Sequence, residues 1–524
     1  MRCQIRVSKW ARVAAVCSVV ILAVLEASPA AGQTAGQPQQ APQGQALPLT
    51  MDQAVAMALE SNLGLQGQRL NLDIASQSVA GARSAFLPQV TSSLGRNTSK
   101  SVPSDFTQGS TDISSIGLSV GATVSQQLRW YGGSYSLNWS GNRSSQTGGL
   151  SSFNPRLGSS LRVSFSQPLL RGLMVDSSRV SLETSEKNRT ITDIQLQQRI
   201  VTMESSVRFA YLNLVGAIEG RKVSEQNMAI VEQSLRQAKA RVEVGQSAQI
   251  EIIQAEAQVA STRESLIRAE AQIATAEDSL RSLILDPNRA DYWTVQLVPT
   301  DTIQLTPREI NADEAIKTAL ANRLDLAVQR RAMEITDLNL TLSRNNTLPN
   351  VDLSASYAAS GTAGTQLVFG SGFPPPVIDS NTRSFGGALG DTFGGAYPSW
   401  SVGVTVGYPI GRTGAQVGLA QAQIRKRQEE LALRELELQI VREVRDAVRQ
   451  VRNSFQRVQA AQAFLAAAEQ QLEAEERRFA VGISTTLDRQ VRERDLASAR
   501  ISELTARIDY NRALITFDRV QKTQ

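Results

Sequence analysis

From Val207 onward, Leu212, Val223, Ile230, Leu235, Ala238 and Val242 recur at helical spacing; after the short break Val244-Gly245-Gln246-Ser247, Ile252, Val259, Leu266, Ile273 and Leu280 return every seven residues. Each series lays an apolar stripe along one side of a helix, and the break folds the two helices into a hairpin. The pattern comes back at a fixed shift of 237 residues: Val207 matches Val444, Arg208 Arg445, Ala210 Ala447, Arg241 Arg478, Gly245 Gly482, Ser247 Ser484, Glu256 Glu493 and Arg263 Arg500. An ungapped match over that length marks a duplication, so the chain is read as two halves.

Each half also begins alike. Thr50 or Asp52 caps a helix that runs through Ala54, Ala58, Leu59, Leu65, Leu72, Val79 and Ala82 to Pro88. A shift of 261 residues carries Ala54, Leu59, Leu65, Arg69, Arg83 and Pro88 onto Ala315, Leu320, Leu326, Arg330, Arg344 and Pro349. Beyond those prolines the period drops to two. Leu118, Val120, Ala122 and Val124 oppose Ser119, Gly121, Thr123 and Ser125, and Tyr135, Leu137 and Trp139 oppose Ser136, Asn138 and Ser140. Leu161, Val163 and Phe165 alternate with serines and Arg162, and the second half repeats the alternation from Val351 to Tyr357 and from Val402 to Tyr408. These are strands with one apolar face. A half-buried sheet of a soluble domain is one reading. Small uncharged polar faces, strand lengths near those of tilted membrane strands, and Trp130, Tyr131, Tyr397 and Trp400 at strand ends favour a membrane barrel.

The lengths fit one design. A helix from about Leu173 to Val244 would span about 100 Å, and the helical pieces Thr50 to Phe86 and Ser247 to Leu285 laid end to end match it. Lys100 to Ser115, Ser144 to Pro155 and Gly361 to Pro398 read as outward loops, the last with Pro374-Pro375-Pro376. Strand sets end at Gln167-Pro168 and Tyr408-Pro409, where proline stops the ladder. The first half holds an extra hairpin turning at Gly132-Gly133, which favours six strands per chain over four. Fewer than eight strands close no known single-chain barrel, so several chains are expected to share one.

Composition narrows the function. Arg2, Arg6, Lys9 and Arg12, the apolar run Val13 to Leu25 and the small residues up to Ala31 read as a cleaved secretory signal. That segment carries three of the five net positive charges, leaving +2, so nucleic-acid binding loses its main support. Both cysteines, Cys3 and Cys17, lie within it, and the chain has no histidine. Disulfides, thiol catalysis, histidine acid–base chemistry and the common zinc sites are thereby excluded, and no cofactor is expected. Nor is an enzyme. The expected organisation is signal 1–31, flexible leader 32–48, first helix-strand-helix repeat 49–285, equatorial linker 286–311 with a strand-like piece Thr294 to Val298, and second repeat 312–524.

The succession Leu49-Thr50-Met51-Asp52-Gln53-Ala54-Val55 to Phe86-Leu87-Pro88, then Gln167-Pro168-Leu169-Leu170-Arg171-Gly172, then the tips Val244-Gly245-Gln246 and Val481-Gly482-Ile483, resembles the TolC-like outer membrane efflux protein family. The resemblance runs through nearly the whole chain. It implies a mixed α and β membrane protein: a homotrimer whose shared outer-membrane β-barrel continues into a long periplasmic α-helical barrel. It also implies export driven by an inner-membrane pump through a periplasmic adaptor docked at the tips. Of two acidic entrance positions in the family's second hairpin, Asp488 matches the first while Val491 replaces the other; Phe479 and Ser484 stand at the aromatic and basic locking positions. Glu251 is the first-half equivalent of Asp488, and a solvated helix face is the plain alternative for both. Two other classes remain: a periplasmic adaptor, with one hairpin and compact β-domains, and a structural envelope coiled coil with unbroken heptads.

Overall fold

A computed structural model describes residues 46–103, 112–147, 151–301, 305–372, 375–408, 410–411 and 413–521. The signal reading and Pro374, Pro409 and Arg412 lie outside the described residues. In chain order the elements are β1 (Ala46–Leu49), α1 (Met51–Ser61), α2 (Leu63–Ser84), β2 (Gln89–Ser101), β3 (Ile113–Gln127), β4 (Ser134–Thr147), β5 (Phe153–Pro168), α3 (Ser177–Glu243) and α4 (Ile250–Ile284). Then follow β6 (Gln296–Pro299), α5 (Ala312–Asn322), α6 (Leu324–Asn345), β7 (Asn350–Phe369), β8 (Val377–Arg383), α7 (Phe385–Gly394), β9 (Tyr397–Gly407), α8 (Gly414–Ala480) and α9 (Thr486–Gln521).

The helix bounds follow the sequence shifts. α3 and α8 have 67 residues each and start 237 apart, whereas α1 and α5, and likewise α2 and α6, start 261 apart. The difference of 24 residues sits in the strand region of the first half. The expected single helix from Thr50 to Phe86 is two helices. Asn62 leaves helical geometry and its side chain accepts from Leu65 N–H, while Thr50 and Gln53 form a capping box at the start of α1. Arg323 makes the same break in the second half, held by Asp325 and Glu443. A polar residue able to satisfy the freed backbone or its neighbours ends one helix and opens the next.

Seven strands form one antiparallel sheet in the order β2-β3-β4-β5-β7-β8, with β9 also on β7. β9 pairs with Asn350 to Ser360 of β7 and β8 with Gly364 to Phe369, on the same edge. They are one strand position in two pieces, so the sheet has six positions. The expected loop from Gly361 to Pro398 instead contains the end of β7, β8, α7 and the start of β9, and β4 and β5 likewise extend into the expected loop from Ser144 to Pro155. The β3–β4 turn carries its positive φ at Tyr131 and Gly132, one residue earlier than the Gly132-Gly133 expected.

The two largest apolar clusters among the described residues hold the helices together. One joins Val55, Val207, Tyr211, Leu214, Leu280 and Ile284; the other joins Leu326, Ile440, Val444, Val458, Tyr510 and Phe517. The leader's end is not flexible: Ala46–Leu49 pairs in parallel with Gln296–Pro299, and the buried Tyr211 hydroxyl donates to Leu49 carbonyl at 2.9 Å. Among the described residues no helix is long and apolar enough to cross a membrane.

Candidate functional site: the sheet wall and the helical tips

Register divides the sheet into two chemically different faces. One row reads Val90, Val124, Leu137, Val163, Tyr357 and Trp400 from strand to strand; the row offset by one residue reads Thr91, Thr123, Asn138, Arg162, Ala358 and Ser399. The apolar face thus continues unbroken across six positions. The small polar face lines a cavity of 610 Å³ at the helical end, with Ser125, Ser136, Ser164, Ser354 and Ser401 in its wall. Large apolar side chains left in the open, Val90, Leu94, Trp400, Val402 and Val406 among them, need a nonaqueous neighbour.

α7 sits on that apolar face. Ala388 and Thr392 of α7 and Ala359 and Ala363 of β7 are all buried, Thr392 Oγ1 donates to Ser159 carbonyl at 3.1 Å, and the Phe385 ring lies over Gly141. Gly361 leaves the space that Ala388 carbonyl occupies. Asp391 pairs with Arg383, closing the excursion from β8 back to β9.

At the far end, about 100 Å along α3 and α8, the two tips share one geometry. Gly245 and Gly482 have φ of 76° and 78°. Gly245 N–H reaches Val242 carbonyl and Gln246 N–H reaches Arg241 carbonyl; Gly482 to Phe479 and Ile483 to Arg478 repeat this pair. Glycine at the left-handed position closes each helix with its last carbonyls satisfied. Val244, Gln246, Val481 and Ile483 project into solvent around them.

Asp488 is exposed and caps α9. Its Oδ2 accepts from Thr485 Oγ1 at 2.6 Å while Asp488 N–H donates back to Thr485 Oγ1 at 3.2 Å. Those bonds from Thr485, helped by Arg492, hold the Asp488 carboxyl below its ordinary range. Glu251 accepts from Thr486 Oγ1 at 2.7 Å, so it ties α4 of the first hairpin to α9 of the second, two residues from Asp488.

Sequence reasoning missed a buried cluster just above the tip. The Phe479 ring lies between the guanidinium groups of Arg241, at 3.9 Å, and Arg489, at 4.5 Å. Arg489 also donates to Gln237 and sits 3.3 Å from Glu493, whose carboxylate accepts from Ser234 at 2.7 Å. Arg489 and Glu493 are 5% and 9% exposed. Burial pushes the Glu493 carboxyl up and the Arg489 guanidinium down from their ordinary values. The pattern of Arg489, Glu493 and an aromatic ten residues before Arg489 was present in the sequence. Their burial depends on α3, which no local pattern reveals.

A strand wall with one apolar and one polar face is carried on helices that reach about 100 Å beyond it. The chain belongs to the outer membrane efflux protein family, whose model matches residues 131–284 and 315–520. Its place is accordingly the outer membrane, with the helices extending into the periplasm. The Brucella suis outer membrane efflux protein BepC is 25% identical over 380 residues, which are 71% of this chain and 63% of BepC's length. Among solved structures, the Campylobacter jejuni outer membrane channel CmeC has a TM-score of 0.65 at 15% identity, over 90% of this chain and 85% of CmeC. The open-state Neisseria gonorrhoeae channel MtrE gives 0.60 at 18% identity, over 90% and 88%.

Proposed function

We propose that the chain is the outer-membrane channel subunit of a tripartite efflux or type I secretion system, three copies sharing one barrel and one helical tunnel built from two repeats per chain. The observation that carries the reading is the pair of open sheet edges. Among the described residues β2 pairs only with β3 and β9 only with β7. β2 leaves the helical end at Gln89 and β9 returns to it at Gly407, so β9 of one copy suits β2 of the next in an antiparallel ladder. Six positions are too few to close alone. Three copies, the number the family resemblance implies, contribute about eighteen strands within the range of known barrels.

The helices support the same assembly. Within the chain α9 packs on α3 through Arg489, Glu493 and Ile508, the last against Gly216. Among the described residues α4, which carries Ile252, Glu256 and Ala271 237 positions earlier, does not lie along α8 as α9 lies along α3, and Ile250, Ile253 and Ile267 are exposed on α4. On α8 the equivalent of Asn227, which lines a groove between α3, α4 and α9, is the half-exposed Phe464. By this equivalence α4 of one copy packs on α8 of its neighbour. The apolar tips at Val244, Gly245, Gln246, Val481, Gly482 and Ile483 then dock a periplasmic adaptor linked to an inner-membrane pump. Glu251 and Asp488 stand at the tunnel entrance. Mass measurement in detergent tests the reading: three chains per particle are expected, and a monodisperse single chain extracted without detergent contradicts it.

A further inference from the structure

We propose that the apolar face of the sheet carries a seat for a phosphate-bearing lipid of the outer leaflet, with Arg96 and Arg143 gripping the headgroup and Leu94, Leu118 and Val120 receiving its acyl chains. The inference rests on the reading of this sheet as a membrane wall.

Register places the residues. Arg96 pairs with Leu118 and Leu118 with Arg143, so the two arginines flank one leucine in a single row on the apolar face. Two strand spacings separate them, about 10 Å. The row toward the helices reads Leu94, Val120 and Gly141, and the next Ser92, Ala122, Trp139, Leu161 and Ala359. On the other side come Thr98, Ile116 and Ser145, then Lys100, Ser114 and Thr147. The arginines therefore stand where the apolar band gives way to polar residues. Tyr135 marks the opposite border of that band on β4, eight residues before Arg143. At about 3.3 Å per residue and a tilt of about 40°, the interval is about 20 Å, close to the height of a barrel's lipid-facing band. Arg143 is thus level with the outer headgroups and not with the hydrocarbon middle.

Charge and shape point the same way. Both arginines are exposed, and among the described residues neither has a hydrogen-bond or ion-pair partner, whereas Lys100 meets Asp112 and Arg383 meets Asp391. Two unpaired guanidinium forks on one row match phosphate oxygens, which accept two parallel N–H bonds each. Leu118 between them is 46% exposed and Leu94 below them 78%. α7 walls one side of this strip, its Phe385 ring standing over Gly141 immediately below Arg143. Floor, wall and cationic rim together shape a lipid and not a free anion.

The test is native mass spectrometry of the detergent-solubilised protein titrated with lipid A, a diphosphorylated glycolipid, or with inorganic phosphate. Wild type retains lipid A; Arg96→Gln with Arg143→Gln binds it about tenfold more weakly or worse; Arg129→Gln, at the opposite border, binds as wild type does. Inorganic phosphate at the lipid's concentration leaves retention unchanged. Equal retention by wild type and the double variant overturns the seat, and so does displacement by inorganic phosphate. Planar-bilayer conductance separates this result from the wall reading: a double variant that conducts like wild type while retaining lipid equally overturns the seat alone, and a wild type that never inserts overturns both.

Discussion

The two hairpins have long helices of 67 residues each, the same glycine tips and the same closing hydrogen bonds, yet one buries its returning helix and the other leaves it open. α9 lies on α3 with Arg489 and Glu493 hidden; at the matching positions α4 shows Ile252 and a Glu256–Lys239 pair with both partners half exposed. Among the described residues α9 lies along the long helix of the other hairpin and α4 does not. On the proposed reading, the difference marks where a second copy of the chain belongs.

The strongest way to break this comparison is at Phe464, the α8 counterpart of Asn227. Phe464→Asp should convert the trimer to single chains in detergent, read by mass, because each interface loses about 1.5–3 kcal/mol of apolar burial and gains a carboxylate. Asn227→Asp, inside the chain's own groove, should leave the trimer intact. If both variants remain trimeric, the equivalence between the inner and outer interfaces is wrong.

The tips come next. Positive φ makes a β-branched residue costly at Gly245 or Gly482, about 1–2 kcal/mol from backbone strain, although a Cβ there would meet nothing within 4 Å. On the proposed reading, Gly482→Val should abolish adaptor crosslinking and export while trimer and membrane insertion persist, since the sheet is about 100 Å away. Normal export would place docking elsewhere. Gly245→Val serves as the comparison for the first tip.

The buried cluster sharpens the contrast between the hairpins further. Burial raises the Glu493 carboxyl above its ordinary value, so its contribution is fully present below the unfolded value of 4.5 and is lost as pH rises through the folded one. The melting temperature should fall across that window in wild type, and Glu493→Gln should flatten the fall. Glu256→Gln, on the open helix, is the comparison variant. A slope identical in all three proteins would take Glu493 out of the tip's stability.

Asp488 gives the smallest effect. Its carboxyl is held down by Thr485, so the cap is intact above the unfolded value of 3.8 and is lost as pH falls through the lower folded value. Asp488→Asn should lose the acid-induced loosening of the α9 start, followed by hydrogen exchange, and should lower cation selectivity in single-channel recordings. Unchanged selectivity would leave Asp488 as a helix cap on a solvated face.

Much of this architecture was legible because it is periodic. The 237- and 261-residue shifts set the helix bounds, period-two runs set the strands, and glycine marked the tips. The features that escaped depend on partners distant in sequence. Asn62 and Arg323 interrupt helices whose apolar spacing continues across the break. Ala46–Leu49 is ordered by Gln296–Pro299, 250 residues away. α7 lay hidden in a glycine-rich stretch that reads as loop until Gly361 and Gly141 supply the flat surface it rests on. Arg489 and Glu493 look like ordinary surface charges until α3 covers them.

The central claim is that three chains with six strand positions each close one barrel, and a cryo-electron-microscopy section through the barrel of the protein in lipid nanodiscs tests it most directly. The account predicts about eighteen strands, with Val120 and Leu137 facing lipid and β9 of each chain laddered to β2 of the next. A wall of about twelve strands, with Val120 and Leu137 folded away from the lipid, would contradict it.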